Sequence, residues 1–121
     1  MKKTILIVDD AAFMRKSLKD IIAKSEYEVI GEAIDGNDAI EKYTELKPDL
    51  LLLDITMPYK DGITALKEIK ALDPNVVCII LSAMGQQDFV KEALTFGAKD
   101  FLVKPFHPVK ALKTIKKVME E

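Results

Sequence analysis

Residues 50–54 read LLLLD, and this short stretch carries the strongest indication of the fold. Four successive leucines are too few for a helix, so they indicate a strand that is buried on both faces. The run ends at an aspartate, Asp54. Four more short apolar runs are spread along the chain, and each of them is predicted to be a buried strand: residues 4–8, 28–31, 76–81 and 101–103.

Longer segments with helical spacing separate these five runs. In the first segment, Leu18, Ile21 and Ile22 fall on one helical face. Pro74 is expected to end the third helix, and Pro108 lies near the start of the last one, where proline is tolerated. Strands that alternate with helices predict an α/β protein, in which five helices cover both faces of a five-stranded parallel sheet. The hydrophobic pattern does not give the order of the strands.

The size and charge of the chain restrict the classes of function. The 121 residues fit one domain, 1–121. A net charge of −2, with Arg15 as the only arginine, argues against a nucleic-acid partner, because binding phosphate requires clustered positive charge. No stretch approaches the ~20 apolar residues of a membrane span. We expect a cytoplasmic protein that acts as a monomer and contacts neither nucleic acid nor membrane.

Polar side chains directly follow four of the five predicted strands. Asp9 and Asp10 follow the first strand, and Asp54 follows the third. Ser82 follows the fourth strand, and Lys104 follows the fifth. In a parallel sheet these ends share one edge, and open α/β sheets bind their ligands at that edge. We therefore expect three carboxylates, a hydroxyl and an ammonium group in one crevice.

Each of these residues also has an ordinary structural explanation when it is taken alone. Asp9 and Asp10 could cap the first helix, Asp54 and Ser82 could be turn residues, and Lys104 could be a solvated surface lysine. Together they favour a cation-binding site. Three carboxylates in one crevice repel one another, and a bound cation would remove this repulsion. Magnesium prefers oxygen ligands and accepts phosphate oxygens, and a lysine suits a phosphoryl oxygen. The set predicts phosphoryl transfer with a carboxylate as the nucleophile.

Four motifs in order carry a resemblance to a known family. The chain resembles the receiver domain of the response regulators of bacterial and archaeal two-component signalling, over its whole length. It is most similar to the single-domain chemotaxis members of that family. The resemblance implies the flavodoxin-like, doubly wound strand order 2-1-3-4-5. The matching segments are LIVDDAAFMR at 6–15, LLLLDITMP at 50–58 with DG at 61–62, LSAMG at 81–85 and GAKDFLVKPF at 97–106.

The resemblance implies a role for each matching residue. Asp54 is expected to be the phosphoacceptor, and Ser82 and Lys104 are expected to bind the phosphoryl group. The Lys104–Pro105 bond is expected to be cis. Phe101 is expected to turn inward when Ser82 moves on activation. The chain would then be no enzyme, although it would assist its own phosphorylation and dephosphorylation.

The resemblance also implies a metal cofactor, Mg²⁺. Its expected ligands are Asp9, Asp10, Asp54 and the backbone carbonyl of Thr56. The side chains of Thr56 and Met84 are expected to flank the water that hydrolyses the phosphorylated form. Neither side chain is a carboxylate or an amide, so we expect slower hydrolysis than in relatives that carry Asn and Glu at these positions.

The resemblance places the partner surface on helix 4, strand 5 and helix 5. Phe101 and three lysines, Lys110, Lys113 and Lys117, are expected to belong to it, although a merely solvated lysine face is the ordinary alternative. The expected partners are a chemotaxis-type histidine kinase as donor, and a flagellar motor switch protein or an archaeal adaptor as target. A phosphorelay intermediate and a receiver of a longer regulator stay open as alternatives.

Two other protein classes share parts of the pattern. A flavodoxin-type carrier of FMN has a similar strand pattern, but Asp9 and Asp10 would repel the phosphate of the flavin. A phosphatase of the haloacid-dehalogenase type also uses an aspartate after a strand, but it requires a second aspartate two positions on, where this chain has Thr56. The sequence therefore disfavours both classes.

Overall fold

The computed structural model describes residues 2–121, and within them five strands alternate with five helices. This alternation confirms the predicted α/β class. Pro108 is in the first turn of the last helix, and Pro74 follows the end of the third, as expected. The elements in chain order are β1 (Thr4–Val8), α1 (Ala12–Ile22), β2 (Glu28–Ala33), α2 (Gly36–Leu46), β3 (Leu50–Asp54), α3 (Gly62–Leu72), β4 (Cys78–Ser82), α4 (Gln87–Thr95), β5 (Asp100–Val103) and α5 (Pro108–Met119).

The strands form one parallel sheet in the order β2-β1-β3-β4-β5. This is the flavodoxin-like order that the resemblance implies. The register aligns the carboxyl ends of neighbouring strands, since Val8 of β1 pairs with Leu53 of β3 and Ser82 of β4 pairs with Val103 of β5. Residues that follow these strands therefore meet at one edge of the sheet.

Successive residues of the central strands point into different hydrophobic cores. Leu51 and Leu53 pack in the core that contains residues of α2, α3 and α4. Leu50 and Leu52 pack in the other core, with residues of α1 and α5. All four leucines are completely buried, and each such side chain stabilises the fold by about 2 kcal/mol. The run LLLLD is apolar at every position because helices cover the sheet on both sides.

The prediction that all five strands are buried is wrong for the two edge strands. Ala33 is the one buried residue of β2, and Leu102 is the one buried residue of β5. Phe101 and Val103 keep about two fifths of their surface exposed, at 40% and 39%. An edge strand has a neighbour on one side only, and the hydrophobic pattern alone does not identify the edge strands.

None of the helices in residues 2–121 combines the length and the apolar character that crossing a membrane requires.

Candidate functional site

The carboxyl edge of the sheet collects the five residues selected from the sequence. Asp54 and Ser82 are the last residues of β3 and β4. Asp9 and Asp10 directly follow β1, and Lys104 directly follows β5. The Lys104 amide donates a hydrogen bond to the Ser82 carbonyl at 2.7 Å, so the ends of β4 and β5 are joined at the site.

Lys104 links two buried carboxylates. Its Nζ lies 2.7 Å from Asp9 Oδ2 and 3.2 Å from Asp54 Oδ2. Asp9 is completely buried, Asp54 is 4% exposed, and the Lys104 side chain is 17% exposed. Buried charges are rare unless they are paired, so this lysine is not a solvated surface residue.

The three carboxylates form a group that could hold a metal ion. One oxygen from each of Asp9, Asp10 and Asp54 lies within 4.8 Å of the other two. Asp9 Oδ2 is buried, and it accepts no hydrogen bond of standard geometry besides its ion-pair contact with the Lys104 ammonium. A buried carboxylate oxygen with spare acceptor capacity, next to an exposed carboxylate, suits a hard cation with oxygen ligands.

The electrostatics of the site reflect this crowding. Burial and, to a smaller extent, the Asp9 charge raise the pKa of Asp54, Lys104 acts in the opposite direction, and the net result is a pKa of about 6. Burial lowers the pKa of Lys104, but its contacts with Asp9 and Asp54 outweigh burial, so the net shift is upward. Lys104 is therefore a permanent cation, and Asp54 is ionised above about pH 6.

The start of α3 lies directly against the backbone of Asp54. The Gly62 amide donates to the Ile55 carbonyl at 2.7 Å, and the Asp61 side chain caps the helix by accepting from Thr64 N at 2.9 Å. A Cβ at residue 62 would lie 1.9 Å from the Asp54 carbonyl oxygen. Glycine is therefore required for the β3–α3 loop to close behind Asp54, which accounts for the DG pair at 61–62.

Ser82 and Phe101 have opposite environments. Ser82 is 1% exposed, whereas Phe101 is 40% exposed on the edge strand β5. Together with Met84, Leu94 and Val103, Phe101 lines an apolar groove of about 450 Å³ between α4 and β5. The aromatic ring is therefore on the outer surface while the serine is buried. The Lys104–Pro105 bond is cis, as expected.

Gln86 is a residue of the site that the sequence analysis missed. Its Nε2 donates to Thr56 Oγ1 at 2.8 Å, and its Oε1 accepts from the Ala83 amide at 2.7 Å. Gln86 therefore ties the loop after β3 to the loop after β4. Gly85 has a positive φ of 89°, and the turn at this glycine places Gln86 within hydrogen-bond distance of Thr56. Gly85 followed by a polar residue was the one available signal in the sequence.

The lysines predicted for the partner surface make no ion pair with Asp9, Asp10 or Asp54, whose one lysine partner within residues 2–121 is Lys104. Lys110 and Lys113 are exposed on α5, and Lys117 makes a solvated ion pair with Asp100 at 3.5 Å. Lys110 lines a groove of about 440 Å³ together with Phe101 and Met84. The structure thus brings the lysine of this groove close to Phe101. Exposed ion pairs contribute little to stability, so Lys117 stays available to other contacts.

A sequence profile described as the response regulator receiver domain matches residues 5–116. The chain belongs to the response regulator receiver family. This membership confirms the resemblance drawn from the four motifs and accounts for the polar groups at the carboxyl edge. The receiver fold explains why residues from four separate strand ends meet in one crevice.

The receiver has close relatives among chemotaxis proteins. It is 59% identical over 118 residues to the chemotaxis protein CheY of Thermotoga maritima, and the match covers 98% of each chain. It is 56% identical over 119 residues to CheY of Bacillus subtilis, covering 98% of this chain and 99% of the relative. The similarity therefore extends over nearly the whole length of both relatives.

A solved structure supports the same fold. CheY in the CheX–CheY–BeF₃–Mg²⁺ complex of Borrelia burgdorferi superposes with a TM-score of 0.91 at 41% identity, covering 96% of this chain and 88% of that one. The comparison confirms the doubly wound receiver fold. The roles of Asp54, Lys104, Ser82, Thr56 and Met84 in this chain stay predictions.

Proposed function

We propose that this receiver is a chemotaxis response regulator in which Asp54 accepts a phosphoryl group from the phosphohistidine of a partner kinase. The observation that carries the proposal is the position of Asp54. It is a buried carboxylate at a strand end, 3.2 Å from the Lys104 ammonium and within 4.8 Å of two further carboxylates. A merely structural aspartate does not require this combination of charges.

The proposed reaction uses Asp54 as the nucleophile. A carboxylate oxygen of Asp54 attacks phosphorus, the phosphorus–nitrogen bond of phosphohistidine breaks, and the electron pair leaves with the imidazole. The product is an aspartyl phosphate. Asp54 must be ionised to attack, and its pKa of about 6 permits this at neutral pH. Lys104 and the Ser82 hydroxyl would neutralise and bind the phosphoryl oxygens.

The metal ligands would be Asp9, Asp10, Asp54 and the backbone carbonyl of Thr56. Bound Mg²⁺ would offset the negative charge that the carboxylates and the phosphoryl group bring together. Support comes from the carboxylate cluster and from the Mg²⁺ named with the related complex of Borrelia burgdorferi. Lys104 supplies one positive charge against the three carboxylates, so the cation would offset the negative charge that remains.

The proposed output is a change of the α4–β5–α5 surface. Ser82 would move toward the phosphoryl group, and Phe101 would move inward from the groove that it now lines. Phe101, Lys110, Lys113 and Lys117 would then present an altered surface to a flagellar motor switch protein or an adaptor. The chemotaxis names of the related proteins and the exposed apolar groove between α4 and β5 support this part of the proposal.

The lifetime of the phosphorylated form would depend on Thr56 and Met84. Both side chains are exposed, and neither carries a carboxylate or an amide. Gln86 brings an amide against Thr56 from the next loop, but its oxygen already accepts from the Ala83 amide. We therefore keep the prediction of slow self-hydrolysis.

The direct test is phosphate incorporation from a small acyl phosphate with Mg²⁺ present. The wild type and an Asp20→Asn control should be labelled to the same extent, because Asp20 is an exposed aspartate on α1. Asp54→Asn should not be labelled. Equal labelling of wild type and Asp54→Asn would refute the assignment.

The identity of the partner is tested with phosphorylated protein. Binding to a motor-switch peptide should increase on phosphorylation and should weaken when Lys110, Lys113 and Lys117 are replaced by Met. Transfer of the label to a histidine phosphotransfer domain, without any gain in peptide binding, would instead identify a phosphorelay intermediate.

A further inference from the structure

Arg15, the only arginine of the chain, makes two contacts next to the acidic pair. It lies on α1, and its side chain is 16% exposed. Its Nη1 donates to the backbone carbonyl of Asp9 at 2.7 Å, and its Nε donates to Glu32 Oε1 at 2.9 Å. A guanidinium group presents several donors in one rigid plane, so a single side chain can hold two acceptors in fixed directions.

The Glu32 carboxylate is itself held in place. Lys19 Nζ donates to Glu32 Oε2 at 2.9 Å, while Arg15 occupies Oε1. The hydrogen bond from Lys19, together with that from Arg15, outweighs burial and lowers the pKa of Glu32, so this side chain is a fixed anion at neutral pH. Arg15 is thus held by Glu32 of β2 through its Nε, and it donates a hydrogen bond to the Asp9 carbonyl through its Nη1.

Asp9 is restrained through each of its polar groups. Its amide donates to the Ala33 carbonyl at 3.1 Å, and its Oδ1 accepts from the Ala11 amide at 2.9 Å. Its Oδ2 contacts Lys104, and its carbonyl accepts from Arg15. The Arg15 contact holds the peptide plane that precedes Asp10, because a peptide carbonyl lies in one plane with the following nitrogen and Cα, and the contact of Asp9 Oδ1 with the Ala11 amide holds the peptide plane that follows Asp10.

Asp10 depends on this restraint more than Asp9 does. Its side chain is exposed and has no hydrogen-bond or ion-pair partner among residues 2–121. The region that its carboxylate can reach is therefore set by its own backbone, which fixes the direction of the Cα–Cβ bond. That backbone starts at the Asp9–Asp10 peptide plane, which Arg15 holds by its oxygen.

We infer that Arg15 is a positioning residue for the metal site, because its hydrogen bond to the Asp9 carbonyl orients the Asp9–Asp10 pair toward the cation. This inference rests on the proposed function, in which these two aspartates bind Mg²⁺. Groups that orient metal ligands without touching the metal commonly change its affinity by 10–100-fold. Arg15 acts on the backbone of the ligand pair, so it is not itself a ligand.

The charge of Arg15 and its hydrogen bond to the Asp9 carbonyl predict opposite effects on the affinity of the site for a cation. A positive charge near a cation site weakens cation binding, so removing it would strengthen binding if charge alone mattered. Removing the restraint on the Asp9 carbonyl would weaken binding. A loss of affinity in a variant without the charge therefore cannot come from simple electrostatics. Arg15→Lys keeps the charge, but a single ammonium group cannot reproduce the two directed contacts.

The test is a Mn²⁺ titration of the protein without phosphodonor, in which free ion is followed by electron paramagnetic resonance. We expect Arg15→Met and Arg15→Lys to bind Mn²⁺ about tenfold more weakly than the wild type. Lys16→Met is the matched control, because it removes a solvated cation of α1 that pairs with Asp20 and leaves the contacts of Arg15 with Glu32 and the Asp9 carbonyl in place. It should bind Mn²⁺ within about twofold of the wild type.

A second measurement separates positioning from damage to the fold. Phosphate incorporation into Arg15→Lys should be slow at low Mg²⁺ and should return to the wild-type rate at saturating Mg²⁺, which a misfolded site would not allow. Wild-type affinity in Arg15→Lys, or tighter binding in Arg15→Met, would overturn the inference. If the wild type bound no Mn²⁺, the proposed metal site itself would be wrong, and this result is distinct from equal binding by wild type and variants.

Discussion

Replacing Asp54 by asparagine is expected to stabilise the protein when no metal is present. The native environment disfavours the ionised carboxylate, since burial and the Asp9 charge raise the pKa of Asp54 from its usual 3.8 to about 6. An amide is nearly isosteric and carries no charge. The variant loses one contact with Lys104, but Lys104 keeps its ion pair with Asp9 at 2.7 Å.

The magnitude follows from the pKa shift. Two pKa units correspond to about 3 kcal/mol at neutral pH, because each unit is worth about 1.4 kcal/mol. The site is open to solvent on the side of Asp10, and the contact with Lys104 is lost, so we expect a net gain of about 1–2 kcal/mol in the free energy of unfolding.

The pH dependence of stability independently tests whether Asp54→Asn stabilises the protein. An acid whose pKa is raised by folding favours the folded state when it is protonated. Its destabilising effect is therefore absent below about pH 4, grows as the pH rises to about 6 and is constant above that. The difference in stability between wild type and Asp54→Asn should be largest at neutral pH and should vanish toward pH 4.

The assay is urea unfolding followed by circular dichroism, because the chain has no tryptophan for fluorescence. The protein is measured in chelator at about pH 7.5 and at about pH 4.5, with Asp20→Asn as the control for loss of a solvated carboxylate. Mg²⁺ should then stabilise the wild type, by preferential binding to the folded state, and should leave Asp54→Asn less affected. An Asp54→Asn variant that is less stable than the wild type at pH 7.5 without metal would refute this reasoning.

Three further predictions concern the same site. Lys104→Met should lower the free energy of unfolding by about 2 kcal/mol at neutral pH without metal, since Asp9 and Asp54 then lack their counter-ion. In a urea titration Mg²⁺ should recover most of this loss, and an unchanged unfolding midpoint for the variant would contradict the prediction. Gly62→Ala should cost about 3 kcal/mol or more, because its Cβ would lie 1.9 Å from the Asp54 carbonyl oxygen, and a wild-type midpoint would show that the loop relaxes freely. The double change Thr56→Asn and Met84→Glu should shorten the half-life of the phosphorylated form in a label-loss assay, whereas Met84→Ala alone should not. The reverse pattern would show that Thr56 and Met84 do not slow hydrolysis in the way proposed.

The sequence was sufficient to predict the location of the site, because the geometry of a parallel sheet is simple. Short apolar runs identify the strands, and residues that follow the runs must meet at one edge. Asp54, Ser82 and Lys104 could be selected on this basis. The order of the strands came from the resemblance to receivers, since the apolar pattern of a strand does not show which strand lies next to it.

Other features depend on contacts between distant residues and could not be predicted. Asp9 and Asp10 are neighbours of the same type, yet Asp9 is completely buried and Asp10 is exposed. Only the packing of Lys104 and the bend after β1 decide between them. The exposure of Phe101 depends likewise on the place of β5 at the sheet edge, which the apolar pattern does not reveal.

The hydrogen bonds of Gln86 and Arg15 are a further case. Gln86 contacts Thr56 across 30 residues of sequence, and Arg15 contacts Glu32 across 17. Apart from the glycine that precedes Gln86, the local sequence carries no signal for these contacts, because glutamine and arginine are common on exposed surfaces. The contacts follow from the approach of separate loops, which requires the folded chain.

The central claim is that Asp54 forms an aspartyl phosphate, and the most direct measurement is reductive trapping. Protein that has been incubated with Mg²⁺ and a small acyl phosphate is treated with borohydride. One hydride displaces phosphate from the acyl carbon to give an aldehyde, and a second hydride reduces the aldehyde to the alcohol of homoserine. Peptide mass spectrometry then locates the altered residue. We predict homoserine at position 54 and unmodified aspartate at positions 9 and 10. Homoserine at another carboxylate, or none after confirmed labelling, would contradict the account.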